Sequence, residues 1–248
     1  AGFNGNLYVF DGESMRAPRE KLPIKLKNPG RIYHYPGSNL FYIHEDEVKV
    51  GGKQSWIIVD EKGNLLFKFK HGLPIEEIIP LADDTFITAY TRFVYLMRYD
   101  IKKGKLELIN KVSLPSKGEI RDKMDQPSFN HLQYDERTND VFVTVFSSGE
   151  IHRINMRTLK SETLAHLKKG VRFLAHAPKY NVICAGNYLT GDFSVIDQYN
   201  GDILYNINIG SRLRGVTLSR DGERVYAVSR GGVFEVNLST IKTLIKKH

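Results

Sequence analysis

The chain has a single cysteine and no long hydrophobic run, and each absence excludes a class of protein. Cys184 lies between Ile183 and Ala185, and one cysteine alone can form neither an internal disulfide nor a CxxC metal site. We expect it to be a small, buried strand residue. No stretch approaches the roughly 18 apolar residues that a membrane-spanning helix needs, so no transmembrane segment is predicted. The cysteine content is compatible with the cytosol and with an extracytoplasmic (periplasmic or secreted) compartment, and the second interpretation is preferred.

The sequence patterns of common enzyme classes are also missing. The chain contains no GxGxxG, GxxxxGK, HExxH or GxSxG motif. These patterns position phosphates, metal ions or nucleophiles through fixed spacings. We therefore predict no catalytic residue, no metal site and no bound cofactor.

The charge is basic but dispersed. The chain has 36 Lys and Arg against 28 Asp and Glu, a formal net charge of +8. Such an excess attracts phosphate, nucleic acid or anionic lipid. Because the basic residues are interleaved with acids along the chain, as on solvated strand faces, nucleic acid is not expected as the partner.

What the chain does contain is a recurring strand that ends in Asp or Asn. Its clearest copy is residues 193–205, where two strands flank the turn Asp197-Gln198-Tyr199-Asn200-Gly201. An Asp or Asn oxygen accepts a hydrogen bond from the backbone two residues on, which reverses the chain in an Asx turn. The strands are rich in β-branched or aromatic residues, and they end at Asp11, Asp60, Asp100, Asn155, Asp197 and Asn237.

The spacing of these turns predicts the architecture. Asp60 and Asp100 are 40 residues apart, Asn155 and Asp197 are 42 apart, and Asp197 and Asn237 are 40 apart. An all-strand repeat near 40 residues is typical of a propeller blade of four antiparallel strands. The sequence therefore predicts an all-β fold, a single β-propeller domain over residues 1–248 with about six blades.

The two ends of the chain give further expectations. Residues 1–28 hold one hairpin, so the first blade is predicted to be incomplete, either truncated or completed by a preceding segment. Full blades are predicted to begin near residues 30, 74, 128, 171 and 213. Residues 241–247 alternate apolar and basic side chains, which predicts an outer edge strand guarded by lysine in the last blade.

One segment carries a family resemblance. Residues 217–228, Thr-Leu-Ser-Arg-Asp-Gly-Glu-Arg-Val-Tyr-Ala-Val, resemble the β-propeller repeats of the YVTN and NHL type. The resemblance covers roughly residues 30–248, and it departs from the Trp-Asp repeat family because the single tryptophan, Trp56, opens its strand. It implies a fold, and propellers of this kind host binding modules, lyases, lactonases and quinoprotein dehydrogenases.

The candidate site is the mouth of the central channel, which the first strand of each blade is expected to line. Register against the turns places Glu77, Asn130, Arg172 and Arg214 at equivalent positions, with Arg31, Glu76, His131 and Arg212 beside them. This set would form a net basic funnel that attracts a small anion such as a carboxylate or phosphate. The alternative is the ordinary polar, water-filled mouth of a propeller.

Other candidates are weaker. The run His44-Glu45-Asp46-Glu47 could supply oxygen ligands to a divalent cation, but a solvated loop is preferred. His131 and His176 are predicted on opposite faces of their strands, so His176 is expected to pack in the core. The insertions at residues 44–54 and 115–128 are predicted to lie on one common face.

These observations favour a non-enzymatic binding or interaction module that presents a loop-bearing, net basic face to a protein partner or a small anionic ligand. Two alternatives stay open. One is a propeller enzyme, either a metal-dependent hydrolase or lyase or a quinoprotein-like dehydrogenase. The other is a sensor or scaffold domain of a larger, membrane-anchored protein.

Overall fold

The computed structural model describes residues 6–10, 18–26, 29–34, 39–45, 55–70, 77–81, 84–90, 93–100, 102–103, 105–115 and 129–245. Short strands dominate these residues, and one helix closes the described chain. The strands are β1 (Asn6–Phe10), β2 (Pro18–Lys25), β3 (Pro29–His34), β4 (Leu40–Glu45), β5 (Ser55–Asp60), β6 (Leu65–Lys70), β7 (Ile78–Pro80), β8 (Thr85–Tyr90), β9 (Phe93–Asp100), β10 (Lys105–Ser113), β11 (Phe129–Asp135), β12 (Asp140–Val145), β13 (Glu150–Asn155), β14 (Lys160–His166), β15 (Val171–Ala177), β16 (Val182–Asn187), β17 (Asp192–Asp197), β18 (Ile203–Asn208), β19 (Gly215–Leu218), β20 (Arg224–Ser229) and β21 (Gly232–Asn237), followed by α1 (Leu238–Ile245). Among the described residues, no helix is both long enough and apolar enough to cross a membrane.

Consecutive strands pair into separate antiparallel sheets, and the fold is a β-propeller. The sheets are β1-β2, β3-β4-β5-β6, β7-β8-β9-β10, β11-β12-β13-β14, β15-β16-β17-β18 and β19-β20-β21. The propeller has five blades, so the prediction of about six is wrong in number. The two-stranded sheet at the start is the incomplete unit that the sequence predicts.

The missing sixth blade has a simple reason. Among the described strands, β1 and β2 pair only with each other, so this sheet has two described strands where a blade needs four. At the other end, the last sheet contains three described strands, because the segment after β21 is helical.

Asn237 explains why residues 238–245 form a helix where the sequence predicts an edge strand. Its side-chain oxygen accepts hydrogen bonds from the backbone N–H of Ser239 at 2.9 Å and from the Ser239 hydroxyl at 2.7 Å. An asparagine that accepts such bonds is a helix N-cap. Leu238 and Ile241, three residues apart, are then buried on one helix face.

The predicted Asx turns are confirmed at five of the six positions, and the sixth, Asp11, lies outside the described residues. At each, the side-chain oxygen accepts a backbone N–H two or three residues on, at distances from 2.8 to 3.2 Å. These turns are closed by Asp60, Asp100, Asn155, Asp197 and Asn237. The same side-chain bond therefore recurs at all five positions. A second strand follows four of these residues, and α1 follows Asn237.

The described chain divides into two compact units. The first comprises Ala1–Thr88 and Tyr95–Asn110, and the second comprises Ala89–Val94 and Lys111–His248. In the first unit, β4 and β5 are buried on both faces. One face carries Tyr42, Trp56 and Ile58 in one cluster, and the other carries Ile43, Ile57 and Val59 with Leu22 and Leu26.

In the described part of the second unit, two core clusters join neighbouring sheets. One contains Phe142 and Ile151 of the β11–β14 sheet with Leu174 and Ile196 of the β15–β18 sheet. The other joins the β15–β18 sheet to the β19–β21 sheet and to α1. β16 is buried along its whole length, and Cys184 within it is fully buried, as predicted. This burial raises the pKa of the Cys184 thiol.

Candidate functional site

Loops from neighbouring sheets of the second unit meet at one end. Backbone hydrogen bonds link Tyr188 N to Gly170 O at 2.8 Å, Ile209 N to Gly191 O at 3.0 Å, and Arg230 N to Ser211 O at 3.2 Å. Each bond joins a connection between the second and third strands of a sheet to a connection between sheets. We call residues 168–172, 187–192, 208–214 and 228–232 the loop surface. Within this unit, the two kinds of loop share one face.

Arg172, Tyr188 and Arg214 form the centre of this surface, and we call them the arginine site. The guanidinium carbon of Arg172 lies 5.5 Å from the centroid of the Tyr188 ring, and that of Arg214 lies 5.2 Å from the same centroid. Arg172 is the second residue of β15, Tyr188 follows β16, and Arg214 precedes β19. Two sheets therefore bring two cations to one aromatic ring.

The sequence folds this way for local reasons. The side chain of Asn187 accepts hydrogen bonds from the backbone N–H of Leu189 and Thr190 at 2.9 and 3.0 Å, and it donates to the carbonyls of Lys168 and Lys169 at 2.8 and 3.1 Å. This buried amide fixes the turn that carries Tyr188 against the start of β15. In the next sheet, Arg214 N donates to Val228 O at 2.6 Å. This bond fixes the backbone of Arg214 directly before β19.

The cations of the arginine site have no acidic partner among the described residues. The Nε of Arg172 is buried and forms no hydrogen bond there. Burying a charged donor without a partner is unfavourable. The contacts with Tyr188 offset part of this cost, because the negative face of an aromatic ring attracts a guanidinium.

A second aromatic ring borders the site. Arg172 also lies over Phe173, with 5.6 Å from its guanidinium carbon to the ring centroid. His131 of the β11–β14 sheet packs edge-on against Phe173 at 6.2 Å between centroids. His131 therefore lies beside the arginine site and contacts it through Phe173.

The other predicted residues are placed differently. Arg212 is exposed on the same loop as Arg214, with a positive φ of 56°. Glu77 belongs to the first unit, is only 7% exposed, and accepts a hydrogen bond from the Tyr33 hydroxyl at 3.4 Å. Arg31 and Asn130 lie in β3 and β11, but their side chains are outside the described part, and Glu76 is outside it altogether. The structure thus brings together Arg172 and Arg214, with His131 and Arg212 nearby.

Tyr188 is the site residue that the sequence reasoning missed. It occupies the turn Asn187-Tyr188-Leu189-Thr190-Gly191, which starts at Asn187, the residue paired with Val171 of β15. An aromatic residue one position after a strand, at the same end as two inner-strand arginines, is the signal that could have identified it.

His176 is buried, as predicted, and belongs to a separate polar network. Its Nε2 donates to Gln198 Oε1 at 2.7 Å and lies 3.6 Å from Asp135 Oδ2. Arg137 binds the Asp135 carboxylate with two side-chain hydrogen bonds of 3.0 Å. Burial lowers the pKa of His176, against the opposite effects of Gln198 and Asp135. Burial raises the pKa of Asp135, but the bonds from Arg137 and the nearby His176 outweigh it, so the net shift is downward.

The acidic run near residue 44 differs from the solvated loop that the sequence favours. His44 and Glu45 end β4 and are 5% and 4% exposed. The Glu45 carboxylate is paired with Lys68 Nζ at 2.5 Å, and His44 packs on Trp56 with 4.8 Å between ring centroids. Strand pairing with β5 buries both residues, so the prediction is wrong for them. Asp46, Glu47 and most of the two insertions, residues 46–54 and 116–128, lie outside the described residues.

A polar groove on β13 and β14 differs from the arginine site, because the arginine that lines it is already paired. It has a volume of about 640 Å³, and its walls include Arg153 and Glu162. Arg153 donates to Glu162 at 2.7 Å and to the carbonyl of Gln198 at 2.9 Å, so its charge is already matched. Within the described residues, no group of three or more His, Cys, Asp or Glu side chains could hold a metal ion.

The comparisons with known proteins support the assignment of the fold alone. No protein-family model matches the chain, and no curated protein matches its sequence. The crystal structure of Kluyvelomyces marxianus Hsv2, a β-propeller, is similar to this chain with a TM-score of 0.60 and 12% sequence identity. The similarity covers 90% of this chain and 66% of the Hsv2 chain, just under two thirds of its length. It shows that the two chains share a propeller fold.

Proposed function

We propose that this protein is a non-enzymatic binding module that holds an anionic group of a small ligand or a partner protein at the arginine site. The observation that carries the proposal is the convergence of Arg172 and Arg214 on Tyr188 without an acidic partner in the described residues. Elsewhere in the second unit, arginines near an acid are paired with it, as Arg137 is with Asp135 and Arg153 is with Glu162.

The geometry favours a carboxylate or phosphate. A guanidinium presents several N–H donors in a plane, which suits two-point binding to such groups. Two guanidiniums that share one aromatic neighbour repel each other, and an anion between them removes that repulsion. The Arg172 side chain is partly buried, so its field is less screened by water than that of a surface arginine.

A double substitution tests this function. Arg172→Ala combined with Arg214→Ala should weaken binding of inorganic phosphate and of citrate by about tenfold or more, since two charge-assisted contacts are lost. Isothermal titration calorimetry at low ionic strength measures the affinity, and thermal unfolding should stay near that of the wild type. Arg172→Gln with Arg214→Gln keeps more of the side-chain packing and should weaken binding to a similar degree.

The matched control is Arg157→Ala with Arg220→Ala. Both arginines are exposed, both lie in turns of the second unit, and the change in net charge is the same. This control should bind both anions as the wild type does. The proposal fails if the wild type binds neither anion, or if the two double variants weaken binding equally.

A further inference from the structure

We infer that the partner of the arginine site is an acidic protein segment that also carries aliphatic side chains. This inference rests on the proposed function and adds the chemical class of the partner. It follows from the rest of the loop surface, which extends beyond the two arginines that a single small anion needs.

Three more cations surround the arginine site. Lys169 precedes β15, Arg212 lies two residues before Arg214, and Arg230 is joined to the Arg212 loop by the bond from Arg230 N to Ser211 O at 3.2 Å. All three side chains are exposed. None has an acidic partner among the described residues.

The loop surface has one sign of charge. Its four segments contain six basic residues and a single acid, Asp192. That acid is already paired, because Lys168 Nζ lies 3.0 Å from its carboxylate. Five cations therefore lie in loops that backbone hydrogen bonds link to one another, and a field of this kind attracts a ligand with several negative charges.

Exposed aliphatic side chains lie close to these cations along the chain. Leu189 follows Tyr188 and is 55% exposed, while Val228 and Val233 are 39% and 70% exposed. Val228 and Val233 are directly opposite each other in the β20–β21 pair, and Arg230 lies in the turn between them. A partner that covers the cations would also cover these apolar groups, and their burial would contribute to the affinity.

The surface fits a peptide better than a nucleic acid or a lipid bilayer. Proteins that bind single-stranded nucleic acid stack bases on open aromatic rings, but Tyr188 already has two guanidinium contacts. Insertion into a bilayer uses several protruding side chains such as Trp, Phe and Leu, and Leu189 is the one exposed side chain of this kind in the loop surface. Val228 lies in β20, and Val233 is the second residue of β21. Both side chains therefore stand on a flat strand surface, which suits packing against the side chains of a peptide.

Four probes test the inference on the whole chain: a short synthetic peptide of alternating glutamate and leucine, the same peptide with serine for leucine, oligodeoxythymidylate of equal charge, and vesicles that contain phosphatidylserine. We expect the glutamate–leucine peptide to bind most tightly, and inorganic phosphate to bind more weakly than that peptide.

Arg212→Ala with Arg230→Ala should weaken peptide binding by about fivefold, in line with the loss of two exposed ion pairs. Phosphate binding should not change. Leu189→Ser should reduce the advantage of the leucine peptide over the serine peptide.

The outcomes separate this inference from the proposed function. If phosphate binding depends on Arg172 and Arg214 but the leucine peptide binds no better than phosphate, the inference is overturned and the proposed function stands. Tighter binding of the oligonucleotide or the vesicles also overturns the inference. If no probe depends on Arg172 and Arg214, both are overturned.

Discussion

At the scale of single residues, charged groups in the second unit fall into two kinds. Asp135, Arg137 and Arg153 have internal partners and stabilise turns or join sheets. The guanidinium groups of Arg172 and Arg214 lie over aromatic rings and have no acidic partner within the described residues. The first kind is explained by the fold, because each charge there meets an opposite charge or a carbonyl. The fold does not explain the second kind in this way, and this is why we propose that a ligand binds these two arginines.

The buried network around His176 makes stability depend on pH. Because burial lowers the pKa of His176 below its ordinary value of 6.5, the unfolded chain binds a proton more readily than the folded one. Stability should therefore be lost as the pH falls through about 6.5. His176→Gln should reduce the loss of unfolding free energy between about pH 7.5 and about pH 5.5 by about 1 kcal/mol. Urea unfolding at the two pH values measures it.

The control for this prediction is His166→Gln, since the His166 side chain is 70% exposed. Its effect on the difference in unfolding free energy between the two pH values should be smaller than that of His176→Gln. Some acid sensitivity should persist in His176→Gln, because burial also lowers the pKa of His152, against the effect of Glu150. Equal pH dependence in wild type and His176→Gln would show that His176 is not the group that titrates.

The arginine site shows what the sequence can and cannot indicate at this scale. Arg172 and Arg214 could be predicted because each lies at the start of a repeat, where register alone sets the position. Tyr188 could not be predicted in the same way, because its role depends on where the loop of one sheet meets the first strand of the next. Glu77 lies at an equivalent repeat position but is buried beside Tyr33, an environment that register does not reveal.

At the scale of elements, the Asx turn after a strand is the unit that the repeat preserves, and glycine closes it after β5 and β17. In the turn after β17, Gly201 N donates to Asp197 O at 3.1 Å, and Gly201 has a φ of +79°. A Cβ at this position would lie 1.8 Å from the carbonyl oxygen of Leu164 in β14. The turn of one sheet therefore packs against the outer strand of the sheet before it, and glycine is required there for both conformation and space.

A pair of glycine substitutions separates these two requirements. Gly222 also has a positive φ, +72°, but a Cβ there would have no atom within 4 Å. Gly222→Ala should thus cost only the conformational term, about 1 kcal/mol. Gly201→Ala should cost at least about 2 kcal/mol more, because the Leu164 backbone cannot give way. Chemical denaturation of both variants checks this, and equal costs would contradict the close contact between the two sheets.

The elements also show where sequence patterns are ambiguous. An Asn at the end of a strand can close an Asx turn into another strand or cap a helix, because both use the same bond from a backbone N–H two residues on. Asn237 makes that bond to Ser239, and burial of Leu238 and Ile241 in the core favours the helix. The alternating pattern of residues 241–247 carries no information about this packing, so the predicted edge strand is wrong.

At the scale of the whole molecule, the β-propeller class follows from the repeat, whereas the number of blades depends on the ends of the chain. The period near 40 residues fixes four-stranded sheets in the interior of the chain. The terminal segments are atypical, since residues 1–28 supply one hairpin and residues 238–245 a helix. Counting repeat units therefore overestimated the blades by one. The YVTN and NHL subtype stays a prediction, because 12% identity to Hsv2 supports only the shared fold.

The second unit should unfold as one cooperative body, because a single core cluster spans two of its sheets and the helix. Phe193 of β17 is fully buried in that cluster with Leu213, Val225 and Leu238. Phe193→Ala should cost about 3 to 5 kcal/mol of unfolding free energy through lost burial and the cavity left behind. Hydrogen exchange should then accelerate in β20 and α1 as well as in β17.

The matched control is Val233→Ala, a truncation at a side chain that is 70% exposed, which should change the free energy of unfolding by less than about 0.5 kcal/mol. If Phe193→Ala accelerates exchange in β15–β18 alone, the sheets of the second unit unfold separately. In that case the loop surface would be held only by local hydrogen bonds such as Tyr188 N to Gly170 O. Cooperative loss across both sheets instead means that this core fixes the separation of Arg172 and Arg214, since Arg172 lies in β15, Arg214 directly precedes β19, and both strands contribute to the cluster.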